Sequence, residues 1–248
     1  MSGELVERVA VVTGAARNIG RAIALDLASA GASIVVNARS SAAEAAAVVE
    51  EIEAAGGKAC VHLADIADPE AAQSLIDTAI RTFGRLDILV NNAAIRRETA
   101  FDDLGWQEWR EVLSVILDGA YLCAHAAVVH LRQSDAGSIV NIGGMSAHSG
   151  AADRAHVIAA KAGLVGLTRG LAHDLAPQVT VNCVVPGLID TVRIAATGMP
   201  GHDRGRSTLL GRRGRPEDVA SLVRYLCGPG GRYVTGQAIH ANGGTFMS

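Results

Sequence analysis

The chain predicts a doubly wound α/β fold, a parallel sheet of seven strands with helices on both faces, and three observations carry that prediction. Its 248 residues suit one sizeable α/β domain better than two small ones. Short β-branched runs alternate with longer stretches of helical apolar spacing from end to end. Aromatics are only 3% of a composition that is 49% hydrophobic, so alanine, valine, leucine and isoleucine must form the core, which suits helices packed closely on a parallel sheet.

Taken in order, the β-branched runs place strands at 9–13, 33–37, 59–63, 86–90, 138–142, 179–184 and 238–241. Apolar residues at helical spacing place helices between them at 19–29, 42–55, 70–83, 104–131 and 159–175. Asp68-Pro69-Glu70 and Arg215-Pro216-Glu217-Asp218 read as helix starts, with proline early and carboxylates in the first turn. Alternation of this kind implies right-handed crossovers between parallel strands. There is no linker, repeat or low-complexity break, so residues 1–248 are expected to form one domain. The one long irregular stretch, 190–215, is rich in glycine, threonine and arginine and reads as a lid over the ligand crevice, with a merely mobile loop as the other reading.

Composition excludes several function classes. A formal net charge of -3, with no arginine or lysine cluster interleaved with aromatics, gives no footprint for nucleic acid. Cys60, Cys123, Cys183 and Cys227 are scattered without a Cys-x-x-Cys pair and read as reduced core thiols. The 8 histidines show no ligand spacing, so no metal site is expected. No uninterrupted apolar run reaches the ~20 residues that span a bilayer, and residues 1–8 lack the apolar region of a secretion signal. A cytoplasmic protein without membrane or nucleic-acid partners is the expectation.

The junction of the first strand and first helix reads Thr13-Gly14-Ala15-Ala16-Arg17-Asn18-Ile19-Gly20. A tight turn of small residues lets backbone approach a pyrophosphate, and the helix behind it offers amide donors and the positive end of its dipole. Further on come Asn91-Asn92-Ala93-Ala94, Lys161, Pro186-Gly187-Leu188-Ile189-Asp190-Thr191, Arg212–Ala220 and Val234-Thr235-Gly236-Gln237. In this order and over essentially the whole chain, these segments resemble the short-chain dehydrogenase/reductase family, specifically its 3-oxoacyl-acyl-carrier-protein reductases.

The resemblance implies a Rossmann-like sheet and assigns a cofactor site. Gly14, Arg17, Asn18, Ile19 and Gly20 would form the phosphate turn, with Asn18 in a glycine slot whose left-handed backbone asparagine tolerates. Asp65 and Ile66 would meet the adenine, Asn91 and Ala93 would line the adenosine ribose, and Pro186, Gly187, Ile189 and Thr191 would hold the nicotinamide carboxamide. Lys161 would reach the nicotinamide ribose. A dinucleotide site for unphosphorylated ribose needs an acid at the end of the second strand; Ala38 stands there, followed by Arg39. Arg17 and Arg39 suit a 2′-phosphate, hence NADP(H), because guanidinium forks match phosphate oxygens; solvated surface arginines are the other reading. The resemblance also implies a homo-oligomer, a tetramer, built on the alanine- and leucine-rich helices at 104–131 and 159–175.

The chemical end departs from the family. Its tyrosine, the proton donor four residues before Lys161, is Val157; its serine, thirteen residues earlier, is Gly144; its helix asparagine falls on Ile116. None of these three side chains titrates or donates a hydrogen bond. Candidate replacements lie on the loop after the fifth strand, where His148 titrates near neutral pH and Ser146 offers a hydroxyl. Asp153 and Arg154 lie one turn before Val157, and His156 is rotated by about 100° from it. Arg96 and Arg97 would reach an anionic substrate or lie in solvent. The family's usual acid before Gly243-Gly244 is Asn242. Three readings stay open: an NADP(H) oxidoreductase for a carbonyl, imine or alcohol, with Lys161, His148 and Ser146 doing the proton chemistry; a non-redox lyase or isomerase on the same scaffold; and a catalytically silent nucleotide-binding subunit.

Overall fold

The structure, a computed structural model, describes residues 3–191, 201, 205 and 207–247. The branched aliphatic runs form strands β1 (Val9–Val12), β2 (Ser33–Ala38), β3 (Lys58–Leu63), β4 (Ile88–Asn91), β5 (Gly137–Ile142), β6 (Val179–Pro186) and β7 (Ala238–Ala241). Between them lie helices α1 (Asn18–Ser29), α2 (Ala42–Ala54), α3 (Pro69–Phe83), α4 (Trp106–Leu113), α5 (Gly119–Leu131), a single turn α6 (Ser146–Ser149), α7 (Ala155–Leu175) and α8 (Pro216–Cys227). Local chemistry sets their ends. Asp68 caps α3 by accepting from the Ala71 amide at 2.8 Å, Pro69 opens it, and Gly84 closes it in the left-handed conformation.

All seven strands are parallel, in the order β3-β2-β1-β4-β5-β6-β7. Strand periodicity divides the core between the two faces. Ala10 and Val12 of β1 join Ile34, Val36 and Val90 under α1, α2 and α8, packing on Ile23, Leu27, Val48 and Val223. Val9 and Val11 face the other way, with Leu89, Ile139 and Val181, onto Leu75 and Ile76 of α3, Cys123 and Leu131 of α5, and Leu175 of α7. Each such buried aliphatic side chain contributes about 1.5–3 kcal/mol of transfer free energy.

Between α4 and α5 the helix makes a π-helical stretch, Ser114–Asp118, and continues. Trp106–Leu131 is thus one rod, long and apolar enough by length and composition to cross a membrane, with a mean hydropathy of 1.8 over its most apolar 18 residues. The sequence placed a helix over 104–131, and because that helix carries charged residues it holds no unbroken apolar run of ~20. Half of this apolar stretch is buried against the protein itself, as in a core helix.

A charged knot ties the amino ends of the strands. Asp87, with a fully buried side chain, accepts from the Val9 amide at 2.9 Å, from Arg85 at 2.7 and 2.9 Å, and from Ser134, with Arg8 at 3.3 Å. The carboxyl ends are the functional side, because the strand order reverses between β1 and β4 and opens a crevice there. Of the stretch 190–215 expected as a lid, residues 192–200, 202–204 and 206 lie outside the described residues. Its described part is tied down at several points: Gly214 bridges to Ile189, the Leu210 amide donates to the Gly243 carbonyl at 3.3 Å, and Arg213 pairs with Asp190 at 2.7 Å.

Candidate functional site

The turn after β1 is held by three side chains from neighbouring strand ends. Thr13 Oγ1 accepts from the amides of Asn92 (2.9 Å) and Ala93 (3.0 Å). Asn92 Nδ2 donates to the carbonyls of Thr13 (2.9 Å) and Gly14 (3.0 Å). Asn37 accepts from the Gly14 amide on its side chain (3.2 Å) and from the Ala15 amide on its carbonyl (2.8 Å). Gly14 and Asn18 both take left-handed backbone, φ 61° and 53°, which glycine and asparagine tolerate best. A Cβ on Gly14 would come within 2.9 Å of Ala93 Cα, and one on Gly20 within 2.3 Å of the Gly14 carbonyl oxygen, so only glycine allows this close packing. Among the described residues, the Arg17 side chain at the N-cap of α1 makes no capping bond to the first amides. A bare helix end behind a glycine turn is the cradle a dinucleotide diphosphate needs.

At the edge of this cradle, Ala38 is buried and Arg39 is exposed. Arg17 is also exposed and lies 3.6 Å from the Glu44 carboxylate. Asp65 is exposed and accepts from the Ala67 amide at 3.1 Å. Two expected nucleotide contacts are turned inward. Ile66 is buried in the core, close enough to Gly119 that a Cβ there would meet its Cδ1 at 2.8 Å. Asn91 still belongs to β4, and its side chain enters a buried relay: its Nδ2 donates to Asn141 Oδ1 at 2.9 Å, and Asn141 Nδ2 donates to Thr168 Oγ1 at 2.9 Å. What these two residues leave at the crevice is backbone. Asn92, Thr13 and Asn37, which the sequence reading did not single out, brace the turn; polar residues at strand ends were the available signal.

Lys161 lies on α7, 7% exposed, and its Nζ donates to the Ile142 carbonyl at the end of β5. Burial, then the Arg96 charge, and to a lesser degree Arg154, push its pKa down to about 7 against the opposing pull of Cys183. Gly144 faces its stem: a Cβ there would meet only Lys161 Cγ, at 3.8 Å. Val157, one turn earlier and 2% exposed, packs with Val112, Ile116, Ala120, Ala160 and Leu164. Two of the three missing polar side chains have therefore become one apolar cluster beside the lysine.

Ser146 opens α6 and is half-buried. His148 is carried the other way, its ring in edge contact with His240 at 4.6 Å between centroids and 6.0 Å from Phe246. Burial first, then the charge of Arg169, hold it below its ordinary pKa. The expectation that His148 serves as the acid meets a physical obstacle, because the helical turn aims it at β7. His156 is fully buried, its Nε2 lies 3.4 Å from Glu108, and neither ring nitrogen makes a hydrogen bond among the described residues. Arg154 is buried at the head of α7, Arg96 is exposed, and Arg97 pairs with Glu111 at 2.5 Å.

On the far side, Pro186 ends β6 and its carbonyl accepts from the Met145 amide at 3.1 Å. The Gly187 amide donates to Ala241 at 3.0 Å, and Asn242 presses on Gly187 so closely that a Cβ there would lie 2.5 Å from the asparagine Cβ. Asn242 also donates to the Phe246 carbonyl (2.7 Å) and accepts from the Gly244 amide (2.9 Å), so it shapes the turn that backs the 186–191 segment. Ile189 is buried and Thr191 half-buried.

A family profile described as enoyl-(acyl carrier protein) reductase matches residues 14–245. The chain is 39% identical over 249 residues to a 3-oxoacyl-[acyl-carrier-protein] reductase of Synechocystis, covering 98% of each. It is 38% identical over 240 residues to the enzyme of the same name from Staphylococcus aureus, covering 96% of this chain and 98% of that one. Among solved structures, a short-chain dehydrogenase of Burkholderia cenocepacia in complex with NADP superposes with a TM-score of 0.89 at 38% identity, covering 98% of this chain and 99% of that one. A blue fluorescent protein from a metagenomic library in complex with NADPH gives 0.90 at 35% identity, covering 98% of this chain and 100% of that one.

Proposed function

The chain belongs to the short-chain dehydrogenase/reductase family, and on that premise we propose that it is an NADP(H)-dependent oxidoreductase working on a carbonyl, imine or alcohol without the family's phenol and serine. One observation carries this reading: the phosphate cradle and Lys161 are intact while the polar groups around the reacting centre are gone. Relatives of this size that are crystallised with NADP and NADPH support the choice of cofactor.

When bound, the nicotinamide supplies or accepts the hydride. The chain's own part begins with the cradle. Amides at the head of α1 take the diphosphate, and Arg39 takes the 2′-phosphate, with Arg17 joining it once released from Glu44. The Pro186–Gly187 backbone, stiffened by Asn242, orients the nicotinamide end. Lys161 Nζ meets the ribose hydroxyls and, titrating near neutrality one turn from Val157, is also a proton source for the reacting centre. Ser146 is the hydroxyl that remains on the neighbouring turn, while His148 positions that turn through His240 and Phe246.

Without a phenol, proton assistance worth about 10²–10⁴ in rate is missing for an ordinary ketone. An iminium ion already carries its proton, so an imine suffers least. The apolar wall of Val157 and Ile116 suits an aliphatic or aromatic substituent. We extend the proposal to one domain over 1–248, with 190–215 as its lid, and to a homotetramer.

The test is binding followed by turnover. NADPH fluorescence titration should show a dissociation constant in the micromolar range, and a screen of imines, ketones and alcohols should show imine reduction fastest. NADPH binding without redox turnover, together with a nonredox reaction that survives removal of nucleotide, would replace this reading with a lyase or isomerase. NADPH binding with no turnover of any kind would leave the silent nucleotide-binding subunit.

A further inference from the structure

Lys58 and Lys161 are the only lysines among the 22 basic residues of this chain; every other is arginine. Lys58 is exposed at the start of β3, whereas Lys161 is buried in the site. Its Nζ rests on a main-chain carbonyl, that of Ile142. The charged and titratable groups that face it are Cys183 of β6, Arg96 from the loop after β4 and Arg154 at the head of α7; among the described residues no carboxylate is one of them. The missing side chain at Gly144 leaves open the approach along the lysine stem, where a Cβ would meet nothing nearer than Lys161 Cγ at 3.8 Å. Val157, one turn before, presents methyl groups where the family has a phenol. A desolvated amine beside other cations is the arrangement that turns lysine from a charge into a nucleophile.

We propose that Lys161 captures carbonyl compounds: its neutral amine adds to the carbon of a small ketone or aldehyde and forms a Schiff base at Nζ. The nitrogen lone pair makes the new C–N bond as the carbonyl π pair takes up a proton, giving a carbinolamine. The nitrogen then releases a proton, the hydroxyl leaves as water, and the C=N bond closes. One carbonyl oxygen and two amine hydrogens depart as that water; nothing is oxidised or reduced, and no co-reactant is required. The lowered pKa supports the geometry. At pH 7 a lysine at about 7 is about half neutral, on the order of a thousand times more than one at the ordinary 10.5. This activity goes beyond the oxidoreductase reading and does not depend on a bound nucleotide.

The two lysines make the test internally controlled. Nucleotide-free protein is incubated at pH 7 with acetone or pyruvate plus cyanoborohydride, whose hydride fixes any C=N bond as a stable secondary amine. Peptide mass spectrometry then reads each lysine separately. The expected result is an adduct on Lys161 forming at least about tenfold faster than on Lys58, through its larger neutral fraction. In denaturant the two should label alike, and Lys161→Arg should lose the fast adduct. Labelling of Lys58 as fast as or faster than Lys161 in the folded protein, or no adduct on Lys161 at all, overturns the proposal, whether or not NADPH binds.

Discussion

Introducing the family's polar groups with Gly144→Ser, Val157→Tyr and Ile116→Asn should convert this protein into a competent β-ketoacyl reductase. The gain is set by proton assistance, about 10²–10⁴ in rate, or ~2.7–5.5 kcal/mol of barrier. The cost falls on stability and differs by position. Gly144 is open, since an added Cβ would make only an ordinary contact at 3.8 Å. Val157 is 2% exposed among Ile116, Val112 and Leu164, so a phenol there overpacks by roughly 1–3 kcal/mol. Burying asparagine at 116 adds about 1–3 kcal/mol unless the introduced tyrosine or a water pairs with it. A loss of ~2–6 kcal/mol is tolerable for a domain whose total lies in the range of about 5–15 kcal/mol. The assay follows NADPH consumption on an acetoacetyl thioester, with melting curves and NADPH affinity measured in parallel. A triple variant that folds and binds NADPH as wild type does, yet turns over within about threefold of it, would show that the tetrad is not what limits this site.

Three further outcomes are expected. Arg39→Ala should weaken NADPH by about ten- to hundredfold through one lost charge-assisted pair and leave NADH nearly unchanged, with a smaller effect for Arg17→Ala because Glu44 competes for that guanidinium; equal NADPH and NADH affinities in the wild type, insensitive to Arg39, would sink the assignment. Asp87→Asn should cost about 3–5 kcal/mol in urea unfolding, because Arg85 and Arg8 lose a buried partner. Burial pushes the Asp87 carboxyl up, but bonds from Arg85, Ser134 and the Val9 amide hold it below its ordinary 3.8; its stabilisation is therefore full above that value and lost as pH falls through the lower native one, a fall absent from the asparagine variant. Light scattering at micromolar concentration should give a tetramer, with exposed Tyr121 and Val129 on α5 among the buried contacts; a monomer contradicts it.

The strands were legible because β-branched runs bounded by turns leave few alternatives, and their ends moved by one or two residues. Asn91 shows what that margin costs. It was read as the first residue beyond β4, facing ribose; as the last residue within it, paired with Asn141, it points into the core. Ile66 likewise turns its side chain into the core, since spacing alone does not say which face a residue near a strand end serves. Left-handed Asn18 was legible from its place in the turn. His148 was not, because the 146–149 segment reads as loop and only the formed turn sends its ring toward His240. Lys161 was legible as a position, but its environment depends on Arg96 and Cys183, which belong to other segments, as well as on Arg154 at the head of its own helix.

The π-helical stretch at Ser114–Asp118 acts as a phase shifter. Each residue of an α-helix advances its face by 100°, so the one residue absorbed there rotates α4 against α5 by about that angle. A single rod can then mesh with two mates at once: Val112 and Ile116 with Val157 and Leu164 of α7, and Cys123, Ala124 and Leu131 with the sheet. Deleting one residue from 114–118 would regularise the helix and turn the α4 side away from α7. The site thus carries a backbone offset that aims position 116 at α7, and the side chain it aims there is the apolar Ile116.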